Sequence, residues 1–360
     1  LKRLSMARHR IILLVGGGTG MIGDPRESGE RVLSDKKIVA KNKKALKAQM
    51  QRIMGTKVTV VDNADWLLKI KLVDFLRDIG KHFTINELIK RDIIKRRIED
   101  PNDSISYTEF AYSLLQGYDY LVLNKKYGVD LQIGGTDQWT NILSGVELNR
   151  RKEGKEVFAI TCPLVTDTNG KKFGKSEGNA IWLDAAKTSP FQFYQFWLNQ
   201  PDAMVGKYLK FYTFMSVFEI DTMMELHKRN PGSREAQKML AQLVTEIVHG
   251  PEAVARVIAA SAAVYGDTPL ASLSPADVAN IRAEVPSVRV QQDTSVVDAL
   301  VASELSKSKT EARKLIEGGG VSINGMVVDL VDAVLTGEQF PGGIALLRKG
   351  RQTALLTIEK

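Results

Sequence analysis

Val129-Asp130-Leu131-Gln132-Ile133-Gly134-Gly135-Thr136-Asp137-Gln138-Trp139 is the stretch on which the reading of this chain turns. It predicts a short strand, a tight Gly-Gly turn and the polar start of a helix. Two successive glycines let backbone approach a ligand where a side chain would collide. Thr136 or Asp137 is placed to cap the helix, whose free N–H groups then face the same crevice. Gln132, Asp137 and Gln138 would lie at the carboxyl end of a parallel strand, where open α/β sheets bind ligands. A carboxylate for a ribose hydroxyl and amides for a small polar ligand suit that place. An ordinary strand–turn–helix with a good cap has the same pattern, so other stretches must decide.

Upstream, the apolar run Ile11–Val15 enters Gly16-Gly-Gly-Thr-Gly-Met-Ile-Gly-Asp24-Pro25. Residues 18–23 match the dinucleotide fingerprint G-x-G-x-x-G. A nicotinamide enzyme would need a second strand ending in an acid about twenty residues on. Here a Lys-rich helical stretch, Ser34 to Met54, follows instead, and the next strand, Lys57–Asp62, comes too late. The glycines therefore read as a close-approach loop that presents Asp24. Residues 66–99 have helical spacing. A helix from about Tyr107 to Asp119 sets Tyr112, Gln116 and Asp119 at i, i+4, i+7, on one face. A buried carboxylate needs a partner, and a ligand hydroxyl or ammonium could be one.

Downstream come Arg150-Arg151-Lys152, a strand at Val157–Thr161, and the polar loop Thr166–Asn179 with Lys172, Lys175 and Ser176. Two lysines three apart in a Gly-flanked loop can neutralise charge that develops on phosphates. Ser189 to about Ala263 reads as a helical bundle. Residues 264–293 have the Pro/Ser-rich, mixed-charge composition of a linker. Thr294–Lys360 reads as a compact αβ module. Its basic helix Lys307-Ser-Lys309-Thr-Glu-Ala-Arg313-Lys314 ends at Gly318-Gly-Gly.

The 360 residues can bury a large core, with 44% hydrophobic and 26% charged content typical of globular chains. No apolar run reaches membrane-spanning length. A single cysteine, Cys162, excludes an internal disulfide framework and suits a reducing compartment. Four scattered histidines show no metal-ligand spacing, so no structural metal is expected. Of the formal charge of +8, residues 1–100 alone contribute 23 Lys/Arg against 12 Asp/Glu, a net +11. Such a surplus favours a polyanionic partner.

Taken in order, these motifs resemble the bacterial tyrosyl-tRNA synthetases, class I aminoacyl-tRNA synthetases, over essentially the whole length. Four stretches carry the resemblance: Gly16–Pro25, Tyr107–Asp119, Gln132–Trp139, and Lys172-Phe-Gly-Lys-Ser176. The last is similar to the class I Lys-Met-Ser-Lys-Ser signature. The implied fold is α/β: a Rossmann-like parallel-sheet catalytic domain (1–188), a helical tRNA/anticodon-binding domain (189–263), a linker (264–293) and a small α+β RNA-binding module (294–360). The implied activity is ATP-dependent formation of tyrosyl-adenylate and transfer of tyrosine to tRNA(Tyr), with Mg2+ accompanying ATP. By the same resemblance Asp119 takes the phenolic hydroxyl, while Asp24, Tyr112 and Gln116 hold the ammonium group. Gln138 faces the carboxylate and Gln132 shapes the pocket. Gly135 and Asp137 meet the ribose. Lys172, Lys175 and Ser176 act on the phosphates, with Arg31 beside them. Arg150, Arg151, Lys307, Lys309 and Arg313 are the expected tRNA contacts. A cytoplasmic homodimer is implied, with its interface around Phe75–Lys95 and Ile105–Phe110.

One family motif departs. No His-x-Gly-His occurs in the sequence, and Leu1-Lys-Arg-Leu falls where the helix after that motif is expected. The chain therefore reads as N-terminally incomplete, without a central strand and the histidines that meet ATP. A catalytically impaired, RNA-binding synthetase-like protein is the rival expectation.

Overall fold

The computed structural model describes residues 1–25, 29, 35–55, 58–166, 181–265, 270–285, 287–350 and 352–358, with only the backbone at 271, 276, 277 and 280. Arg31, Lys172, Lys175 and Ser176 lie outside the described residues. Two compact units divide the chain, Leu1–Gly178 and Asn179–Lys360.

In the first unit, a short helix α1 (Lys2–Met6) precedes strand β1 (Ile12–Val15). Helix α2 (Lys36–Met54) is capped by Asp35, whose side chain accepts from Lys37 N, and leads to β2 (Thr59–Asp62). Residues 66–99, expected to be helical, form short pieces: α3 (Ala64–Leu67), α4 (Leu72–Asp78), α5 (Ile85–Leu88) and α6 (Asp92–Glu99). Helix α7 (Tyr107–Tyr127) starts at the Ser106 cap and continues well past Asp119. It stops only at Gly128, whose φ of 70° is a left-handed conformation that glycine adopts without steric cost.

Strand β3 (Leu131–Gly135), helix α8 (Trp139–Glu153) and strand β4 (Phe158–Cys162) follow. Neither Thr136 nor Asp137 caps α8. A 3-10 turn, Thr136–Gln138, comes first, and Gln138 holds the cap position without a side-chain bond. The turn carries Asp137 outward instead. Helix α7 packs closely on α8 because residue 145 is glycine. A Cβ there would stand 2.5 Å from Tyr120 Cβ.

Parallel pairing appears as expected, β1 with β2 and β3 with β4. The continuous sheet does not, since the described residues form two separate two-stranded pairs.

The second unit opens with α9 (Pro190–Leu198), whose Ser189/Gln192 capping box and Pro190 mark its start. Its buried Phe191, Phe193, Tyr194 and Trp197 form a core with α10 (Asp202–Tyr212), α11 (Val217–Arg229), α12 (Glu235–His249) and α13 (Pro251–Tyr265). Trp197 meets Tyr208 edge-on at 5.8 Å. The stretch 264–293, expected as a linker, contains α14 (Pro275–Glu284) and strand β5 (Ser287–Val290). After α15 (Val296–Ala302) and α16 (Lys309–Glu317) come β6 (Val321–Ile323), β7 (Met326–Val327), β8 (Ile344–Lys349) and β9 (Gln352–Ile358). The sheet order is β5-β9-β8-β6-β7, with β5 parallel to β9. A boundary at Thr294 thus cuts β5 from its own sheet. Pro275 is the first helical residue, where its missing N–H is harmless, so this proline starts a helix rather than marking a linker.

Candidate active site

The glycine loop after β1 is held by the end of β2. Gly17 N donates to Asp62 Oδ1 at 3.1 Å and Gly18 N to Asn63 Oδ1 at 2.7 Å. Gly17 has no room for a side chain, since a Cβ would lie 2.3 Å from Asp62 Oδ1. Asn63 then turns its amide the other way. Its Nδ2 donates to Thr19 Oγ1 at 2.8 Å and to Asp119 Oδ2 at 2.9 Å. Trp66, three residues further along, donates Nε1 to Asp119 Oδ1 at 2.7 Å. Asp119 is 2% exposed. Burial pushes its carboxyl up to about 7, against the lowering effect of the Asn63 and Trp66 hydrogen bonds.

Asp119 is thus a buried acceptor that tolerates its charge only through two aimed donors. A carboxylate offers about four lone-pair sites, and these two donors occupy one on each oxygen. Gln116 and Tyr112, one and two turns back on α7, are half-buried.

Asp24 joins the β1 loop to the start of α8. Its Oδ2 accepts from Gln138 Nε2 at 2.8 Å and its Oδ1 from Asn141 Nδ2 at 3.1 Å. Beside this bridge lies a cavity of about 420 Å³ whose walls include Asp24, Arg91, Glu109, Thr136, Asp137 and Asn141. Asp24 and Asp137 therefore share one cavity, while Asp119 is not part of its wall and sits beneath the glycine loop. Gly134 and Gly135 bring the backbone of β3 to the same end. A Cβ at 134 would lie 2.9 Å from Ile142 Cδ1, and one at 135 would lie 2.6 Å from Asp137 Oδ1.

Three atoms in this cavity's wall have no partner among the described residues: Arg91 Nη1, Glu109 Oε2 and Ser113 Oγ. Arg91 Nη2 donates to Ser144 Oγ at 2.8 Å, and burial lowers its guanidinium to about 10, opposed by Glu87. Glu109 is held through its other oxygen by Arg97 Nη1 at 3.0 Å, an ion pair with both side chains 2% exposed. The cavity wall thus has free donors and acceptors for a polar ligand.

The remaining expected residues are dispersed. Gln132 lines a different cleft, between β1 and β3, and its Oε1 is unpartnered among the described residues. Arg150 is exposed and pairs with Glu147 at 2.6 Å. Arg151 bridges to α5, donating to Glu87 at 2.8 Å and to His82 O at 2.7 Å, so it also ties the fold together. In the second unit Lys309 pairs with Asp298 at 2.7 Å, and both line a shallow cavity of about 390 Å³ with Arg313. Lys307 N donates to Glu311 Oε2 at 2.8 Å, which places its side chain at the exposed start of α16.

Sequence reasoning missed Asn63, Trp66, Asn141 and Arg91. Asn63 carried a usable signal: it is the first residue past a predicted parallel strand, at its carboxyl end, where ligand-facing groups collect.

Two parallel strand pairs whose carboxyl ends carry acids and amides beside the glycines at 16–18 and 134–135 form an α/β ligand-binding site of the kind found where open parallel sheets end. The family of class I tRNA synthetases for tryptophan and tyrosine matches residues 1–266, and this chain belongs to it. Residues 277–357 match the C-terminal domain of the tyrosine–tRNA ligases, which puts the chain on the tyrosine side of that family. The tyrosine–tRNA ligase of Leuconostoc mesenteroides is 46% identical over 99% of this chain and 86% of its own length. That of Roseiflexus castenholzii is 44% identical over 98% and 86%. Among solved structures, a C-terminally truncated mitochondrial tyrosyl-tRNA synthetase of Aspergillus nidulans superposes with a TM-score of 0.61 at 30% identity, covering 69% of this chain and 74% of that one.

Proposed function

We propose that this chain works as a tyrosine–tRNA ligase through a specific division of labour among its residues. The carboxylate of L-tyrosine attacks the α-phosphate of ATP, and the terminal ribose hydroxyl of tRNA(Tyr) then attacks the adenylate. Neither step needs an enzyme nucleophile, so orientation and charge placement supply the rate. Asp119 accepts the phenolic hydroxyl. Asp24, Tyr112 and Gln116 receive the ammonium group, and Gln138, already bonded to Asp24, faces the reacting carboxylate. Gly135 and Asp137 take the ribose. Lys172, Lys175, Ser176 and Arg31 are assigned to the phosphates on the strength of the sequence resemblance. Arg150, Lys307, Lys309 and Arg313 are the tRNA contacts, with Arg151 serving both tRNA and fold. Gln132 shapes the site from behind.

Mg2+ would enter with the ATP phosphates, since this small, strongly hydrated ion is ordinarily held by substrate phosphates and one or two carboxylates rather than by an all-protein cage. The reading also implies a homodimer in the cytoplasm. Leu72 and Val73 on α4, 72% and 73% exposed, and Ile85 on α5 and Tyr107 on α7 are exposed apolar side chains near the expected interface, of the kind that a partner subunit would cover.

The observation that carries the proposal is the Asp119 carboxylate, buried and held by Asn63 and Trp66. Tyrosine titration tests it. Saturable binding that is lost in Asp119→Ala, with phenylalanine failing to compete, is expected. Equal affinity for phenylalanine overturns it.

A further inference from the structure

The cavity beside the Asp24–Gln138 bridge carries recognition chemistry that the assigned contacts of tyrosine and ATP leave unused. Glu109 and Ser113, one turn apart on α7, stand in its wall and are 2% and 3% exposed. Arg97 Nη1 holds Glu109 Oε1 at 3.0 Å, and Oε2 remains an acceptor without a donor among the described residues. Ser113 Oγ is unpartnered there too. Arg91, in the same wall, donates Nη2 to Ser144 Oγ at 2.8 Å and keeps Nη1 unmet. Buried polar atoms are seldom left without partners, so three in one wall point to a ligand that meets them. That ligand has an N–H for Glu109 and an acceptor for Arg91 or Ser113.

The rest of the lining narrows the kind of molecule that brings those groups. Asp24, Asp92 and Asp137 also stand in the wall, against the cations Arg91 and Arg96. With Glu109 the acids outnumber the cations, so the cavity suits hydroxyls and amines and repels phosphates. A triphosphate is a poor occupant, whereas the 3′ end of a polynucleotide carries hydroxyls in place of phosphate. Arg96, exposed on α6, is a cation for the phosphate that precedes such an end. Adenine presents an amine donor beside a ring-nitrogen acceptor. Guanine instead offers two adjacent N–H donors, which suit a carboxylate with both oxygens open, and Arg97 occupies one of those of Glu109. A volume of about 420 Å³ lies near the lower end of the ~300–1,000 Å³ of ordinary ligand pockets, the scale of one nucleoside rather than a duplex.

We propose that this cavity takes the 3′-terminal adenosine of tRNA, with Glu109, Ser113 and Arg91 reading its base and its ribose turned toward the Asp24–Gln138 bridge. The assignment rests on the tyrosine–tRNA ligase reading and adds the place where the second substrate's reacting end is held. In that reading Gln138, bonded to Asp24, faces the carboxylate of tyrosine, so a ribose beside Asp24 lies next to the acyl group it attacks.

The test measures equilibrium binding of the whole chain, at one salt concentration, to tRNA(Tyr) transcripts that end in adenosine, purine riboside or inosine. Purine riboside lacks the amine, and inosine has a carbonyl in its place. The adenosine end should bind about tenfold or more tighter than either. Glu109→Gln keeps an oxygen for Arg97 and offers the cavity an amide N–H, so it should favour the inosine end, a ratio that does not depend on how much of the variant is folded. Ser113→Ala leaves the Arg97–Glu109 pair in place and should narrow the adenosine preference about threefold or more. Equal binding of the three ends while tyrosine still binds overturns the proposal alone. Failure to bind both tRNA and tyrosine overturns it together with the ligase reading. An adenosine preference unchanged in Ser113→Ala overturns it even where Glu109→Gln does not fold. A change confined to the preference for ATP over inosine triphosphate also overturns it, and gives the cavity to the base of ATP.

Discussion

Replacing Asp119 with asparagine should flatten the pH dependence of stability and abolish the pH dependence of tyrosine binding. Asp119 titrates near 3.8 in an unfolded chain and at about 7 in its buried place. Between those values the folded protein holds a proton that the unfolded chain has released, so stability is full below about 4 and falls as pH rises to about 7. A difference of about 3 in pKa at about 1.36 kcal/mol each is worth about 4 kcal/mol, and about 3 kcal/mol of it falls between pH 5 and pH 8. Asp119→Asn cannot ionise, so relative to wild type it should gain that amount across the same interval. Urea unfolding at half-unit pH steps reads this directly. Tyrosine binding should move oppositely: the wild-type affinity rises through pH 7 as the carboxylate becomes a full acceptor, and the variant stays weak throughout. Stability curves that run parallel for the two proteins from pH 5 to 8 would refute the reasoning, as would wild-type affinity that is equal at pH 6 and pH 8.

Asn63→Ala removes the acceptor for Gly18 N and the donor to Asp119. It should cost about 1–3 kcal/mol for each buried orphan and weaken tyrosine binding about tenfold or more, read by calorimetric titration. Arg97→Ala leaves Glu109 charged and buried, so unfolding should show a loss of about 3–5 kcal/mol, partly recovered by adding Glu109→Gln. Gly145→Ala forces α7 from α8 and should lower stability by about 1–3 kcal/mol in thermal melts. Tyr120→Phe should not rescue it, because the obstructing atom is the Tyr120 Cβ.

The strands and helices that place the site were legible because each has a strong local cause. Ile11–Val15 is a bare apolar run ended by glycines, and α7 has a Ser106 start and a helical stripe. The family resemblance rested on the same stretches. What was hidden depends on distant pairing. Nothing near Asp119 in sequence shows that Asn63 and Trp66, more than fifty positions earlier, will hold its two oxygens. Composition also misled where a residue has two uses. Prolines and serines suggested a linker at 264–293, although Ser274-Pro275 is equally a helix start. Thr136 and Asp137 had capping chemistry, but the 3-10 turn sends Asp137 into the cavity wall, where it can meet a ligand instead of backbone.

The two halves of the Asp119 prediction share one cause, and it bears on why this side chain is a carboxylate at all. A neutral acceptor there would cost the fold less, since burial is what drives the pKa to about 7. Asn63 and Trp66 each fill one acceptor position, which fixes the plane of the carboxylate and leaves an open lone pair on each oxygen. A phenol hydroxyl can use that opening, with the strength of a hydrogen bond to an ion. A phenyl ring cannot, and would leave a buried charge both desolvated and unmet, the condition that carries the largest penalty. The same charge that weakens the empty fold therefore separates the two amino acids, and its destabilising effect should shrink when tyrosine is bound. Tyrosine should accordingly raise the urea midpoint more at pH 8 than at pH 6, by more than its affinity for the Asp119→Asn variant can account for.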